Sequence, residues 1–198
     1  MSESSLRPCA AFDGVRLIAA GPLLEIALAV KASVAAGAAG PVLTFDDATG
    51  AVVDLDLRGS DAEVAARLGA NRDDAPAPRG RGRPKLGVVA REVTLLPRHW
   101  QWLAAQSGGA SVALRRLVEE ARRADGGATE ARQAKAAAYR FLAAIAGDFP
   151  GFEEAARALF AGDREAFAGR IAAWPADVRG YAMRLAWRRG ESGLAQGE

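Results

Sequence analysis

The sequence predicts an α+β fold: a small N-terminal ββαββα domain, a central strand-helix-helix unit and a C-terminal helical bundle. Three observations carry this prediction: apolar runs on either side of Asp13-Gly14, a Pro/Gly/Arg stretch over residues 70–87, and helical periodicity from Thr129 onward. With half of its 198 residues apolar and a quarter charged, the chain has the composition of a globular protein long enough to bury a core. The expected boundaries are 1–69 for the first domain, 70–87 for a basic linker, 88–125 for the central unit and 128–190 for the helical domain.

Each element follows from local chemistry. Cys9 to Phe12 and Val15 to Ala19 flank Asp13-Gly14, the strongest short-range hairpin signal. Pro22 suits a first helical position, and Leu24, Ala27, Val30 and Val34 then recur at helical spacing up to Gly37. Val42 to Phe45 and Val52 to Leu57 read as strands around the turn Asp47-Ala48-Thr49-Gly50. The second alternates Val53, Leu55 and Leu57 with Asp54 and Asp56, as a sheet with one wet face would. Ser60 and Glu63 form a capping box for a helix through Leu68. The expected result is an antiparallel sheet with helices on one face. Residues 88–96 read as extended, Pro97 to about Gln106 as a helix, and Ser111 to about Arg123 as a second helix after a Ser-Gly-Gly turn. Beyond Thr129 about four helices are expected, broken at Pro150-Gly151, Gly162-Asp163 and Trp174-Pro175. Ala136, Tyr139, Leu142 and Ala143 give the first of them its apolar stripe.

Charge is spread unevenly. Residues 1–70 carry five basic and nine acidic side chains, residues 71–127 carry eleven and six, and residues 128–198 carry ten and nine, within an overall balance of +2. The middle of the chain is therefore the cationic part. In it, Arg79, Arg81, Arg83 and Lys85 are spaced by glycine and proline, so an extended backbone can approach a groove floor while guanidinium groups point into it. Arg81-Gly82-Arg83-Pro84 with its flanks resembles an AT-hook, over eight residues. The resemblance implies binding in the minor groove of A·T-rich double-stranded DNA; a solvated linker is the competing reading.

The adjoining Arg91 to Arg98 run, followed by Trp100 and Leu103 and then by Ser111 and the Leu114, Leu117, Val118, Ala121 stripe, resembles the ribbon-helix-helix fold of small bacterial repressors, over about 35 residues. That resemblance implies a homodimer whose paired strands enter the major groove while the start of the second helix grips a phosphate, with Ser111 capping it. Two strand phases remain open. Burying the residue before the proline turns Arg91, Val93 and Leu95 outward; following the apolar side chains instead turns Glu92 and Thr94 outward. Repulsion between Glu92 and phosphate favours the first phase. The residues expected at DNA are thus Arg79, Arg81, Arg83, Lys85, Arg91, Val93, Thr94, Leu95 and Ser111.

Other candidates carry less. His99 reads as a packed or capping side chain, and Asp46, Asp47, Asp54 and Asp56 read as turn and solvated-face residues without metal-loop spacing. Cys9 reads as buried filler, and one cysteine cannot close an internal disulfide. Trp100 belongs with Leu103 in a core stripe, whereas Trp102 is half exposed. Gly80, Gly82 and Gly87 match no phosphate-loop spacing. No nucleophile-base-acid set is found, so an enzyme is not expected and no cofactor is implied. Ala11-Phe12-Asp13-Gly14, Phe45 to Gly50, Arg91 to Trp102, Gly151 to Ala155 and Trp174 to Asp177 together resemble a bacterial family catalogued as a domain of unknown function. That likeness covers most of the chain and implies no particular activity. The sequence-based expectation is a dimeric, DNA-binding transcription regulator, cytoplasmic and nucleoid-associated, with no membrane segment and with an effector left open. The alternative is a protein-interaction or oligomerisation scaffold without nucleic acid.

Overall fold

The computed structural model describes residues 7–70 and 91–188. In chain order the elements are β1 (Pro8–Asp13), β2 (Arg16–Pro22), α1 (Leu23–Ala35), β3 (Val42–Asp46), α2 (Asp61–Ala70), α3 (Pro97–Ala104), α4 (Gly109–Asp125), α5 (Ala128–Ile145), α6 (Phe152–Ala161), α7 (Arg164–Arg170) and α8 (Ala176–Ala186). They divide into two compact units, one of residues 1–73 with 129–198 and one of residues 74–128. The fold is α+β, as the sequence predicts. No helix of the described residues is long and apolar enough to cross a membrane.

The first unit is organised around β1. The sheet runs β2-β1-β3 with both pairings antiparallel, so β1 is central and every residue from Cys9 to Asp13 is buried. Successive side chains of a strand point to opposite faces, and here both faces are covered. Cys9 and Ala11 meet Leu23, Ile26 and Val30 of α1. Ala10 and Phe12 meet Phe45 of β3 with Phe141 of α5 and Tyr181 of α8. The rings of Phe12, Phe45, Phe141 and Tyr181 lie in mutual edge or tilted contact, with centroids 4.6–6.1 Å apart. The expectation of helices on one face is thereby corrected. The apolar run of β1 itself is what a doubly covered strand looks like, and the covering helices come from far along the chain. Residues 7–70 and 129–188, which the sequence divides into separate domains, share this one core.

Two further expectations change. Val52 to Leu57 is not a strand: only Val52 bridges Phe45, although Val53, Leu55 and Leu57 still pack on the α1 side of the sheet. Alternation records which side of a segment is covered, and it holds here without a ladder. At the end of this segment Asp56 accepts from the Arg58 N–H at 3.2 Å and from its guanidinium at 2.8 Å. In α5 the buried stripe is Ala134, Ala137, Ala138, Phe141 and Leu142, and Tyr139 is exposed. Alanine carries little phase information, and the two candidate stripes differ mainly in which aromatic ring faces inward. The Ser60–Glu63 capping box forms as predicted, with Glu63 Oε2 accepting from Ser60 N at 2.6 Å and the Ser60 hydroxyl accepting from Glu63 N at 3.3 Å.

Candidate nucleic-acid interface

Within the second unit the described residues begin at Arg91. Residues 91–96 have no ladder partner among the described residues, and Leu96 has extended dihedrals, φ −65° and ψ 150°. Pro97 then opens α3, where its fixed φ and missing N–H cost nothing. Helix α3 packs against α4 through a turn closed by Gly108 and Gly109, both left-handed at φ +81° and +72°. A side chain on Gly108 would also lie 3.0 Å from Val112, so this turn needs glycine on two grounds.

The predicted site residues fall as follows. Arg79, Arg81, Arg83 and Lys85 lie outside the described residues, as do Val88 to Ala90. Arg91, Val93 and Thr94 are exposed, and Leu95 is half-buried. Neither strand phase is distinguished, because Glu92 is exposed as well. Ser111 is not the cap. Helix α4 starts two residues earlier at Gly109, with Gly108 as N-cap and no side-chain cap hydrogen bond. The expected Ser-Gly-Gly turn forms, and its second glycine is already the first residue of the helix. The first-turn N–H groups of α4 are consequently not occupied by a capping side chain, and the exposed Ser111 sits among them. Trp100, expected in a core, is exposed, and so is His99.

Burial in this unit is slight. Within α3 and α4 only Leu103, at 3% exposure, and Ala113, at 2%, are buried. Val93, Leu96, Trp100, Trp102, Val112, Leu117 and Val118 are all exposed large apolar side chains. Arg91, Arg98, Arg115, Arg116, Arg122 and Arg123 are exposed on the same segment.

The other polar constellation is the turn after β3, in the first unit. Asp46 accepts from Thr49 N at 2.6 Å and from its hydroxyl at 2.8 Å, and pairs with Arg7 at 2.8 Å. The Tyr181 hydroxyl donates to Asp47 Oδ1 at 2.7 Å. Arg188 donates to the Asp47 carbonyl at 2.6 Å, and Arg140 to the Thr49 carbonyl at 2.7 Å. Burial, with the Asp47 carboxylate beside it, pushes the Tyr181 hydroxyl well above its ordinary pKa. Burial likewise raises the Cys9 thiol, against the opposing pull of Arg7. The Tyr181 hydroxyl ties α8 to the turn after β3, and Cys9 is buried in the core beneath α1. Among the described residues no group of three or more His, Cys, Asp or Glu is placed to hold a metal ion.

Comparison with known proteins adds one match. The model of a family described as "Uncharacterized protein conserved in bacteria (DUF2239)" matches residues 8–186. No curated protein and no solved structure matches the chain.

Proposed function

We propose, from the premise that this chain belongs to the DUF2239 family of bacterial proteins, that it is a DNA-binding protein acting as a homodimeric regulator through residues 79–125. In this assignment two copies pair their segments before Pro97 into an antiparallel ribbon. The ribbon lies in the major groove, presenting Arg91, Val93, Thr94 and Leu95. The uncapped first turn of α4, with Ser111, receives a phosphate. Arg79, Arg81, Arg83 and Lys85 enter the neighbouring minor groove, which favours A·T-rich sequence.

One observation carries the proposal: a segment with no ladder partner among the described residues runs straight into a glycine-joined helix pair that buries two residues, and segment and helices together expose seven large apolar ones. A helix pair of this size has too little buried area to stand alone, and a twofold mate supplies the missing surface. The cationic balance of residues 71–127 points to the polyanion.

The test is a titration of labelled A·T-rich duplex by fluorescence anisotropy at two salt concentrations. With about six basic groups on phosphate, log K against log[salt] has a slope near −5. Micromolar indifference at low salt ends the proposal. Exposed Trp102 and Val93 equally favour a second reading, a protein-interaction scaffold without nucleic acid. Arg81→Ala with Arg83→Ala separates the two: DNA affinity falls under the first and partner binding is unchanged under the second.

A further inference from the structure

We draw no further inference here: the strongest candidate, the aromatic surface patch that Tyr139 of α5 forms with Phe152 and Phe160 of α6, carries nothing because nothing in the structure shows what covers it.

Discussion

Gly50 closes the turn after β3 with φ +66°, and the first atom of any side chain placed there meets α5. A Cβ at Gly50 lies 1.9 Å from the carbonyl oxygen of Ala137, 2.6 Å from its carbonyl carbon and 2.8 Å from its Cα. These are backbone atoms of a helix, so relief requires moving α5 away from Phe45 and Tyr181. Gly50→Ala therefore carries two costs. The left-handed conformation costs an L-residue about 1–2 kcal/mol, and overpacking a rigid site costs about 1–3 kcal/mol, here toward the upper end. The expected destabilisation is about 3–5 kcal/mol. Gly14→Ala is the matched control: its φ is +57°, and no atom lies within 4 Å of an added Cβ. It should cost only the conformational part, about 1–2 kcal/mol. Urea unfolding of both variants, followed by far-ultraviolet circular dichroism at a common m-value, measures the difference. Equal losses would refute the claim that α5 is seated on this turn.

Further expectations follow from the same contacts. Tyr181→Phe deletes the donor that reaches Asp47 at 2.7 Å inside the aromatic cluster, and should cost about 1.5–3 kcal/mol in the same unfolding assay. Asp163 caps α7 by accepting from Ala166 N at 2.9 Å, so Asp163→Ala should cost about 1 kcal/mol. The Asp13 carboxyl is held below the ordinary carboxylate range by the N–H groups of Gly40 and Ala39, with Arg16 adding to them. A lowered folded-state pKa stabilises above about pH 4 and is lost as pH falls through the folded value, so Asp13→Asn should flatten the fall in stability below about pH 4. An unaltered acid profile in that variant would count against the Asp13 contacts.

What the sequence disclosed and what it concealed divide along physical lines. The hairpin at Gly14, the capping box at Ser60 and the breaks at Pro150, Gly162 and Pro175 were legible because each depends on residues within a turn or two. The joining of Phe12 and Phe45 to Phe141 and Tyr181 was not, since nothing local in β1 records which helices cover it. Val52 to Leu57 shows the difference within one segment: its alternation correctly marked the covered side, whereas alternation carries no information about a ladder partner. At the candidate interface the helix pair was legible from Pro97, the Ser-Gly-Gly turn and the apolar stripe of α4. The start of α4 was placed two residues late because Ser111 is a better cap by residue type than Gly108, which takes that place at φ +81°. Strand phase was illegible for a different reason: among the described residues Arg91 to Leu96 has no ladder partner, and of its side chains only Leu95 is half-buried.

The first unit is assembled from two stretches of chain with another unit encoded between them, and that order governs how it is made. During synthesis the ring of Phe12 leaves the ribosome well over a hundred residues before Tyr181 does. At about 5–20 residues per second, the nascent hairpin waits several seconds or more with one flank bare. Closing so long a loop is entropically slow. Interrupting translation before α8 emerges would therefore leave a sticky, protease-sensitive fragment in place of a small folded domain.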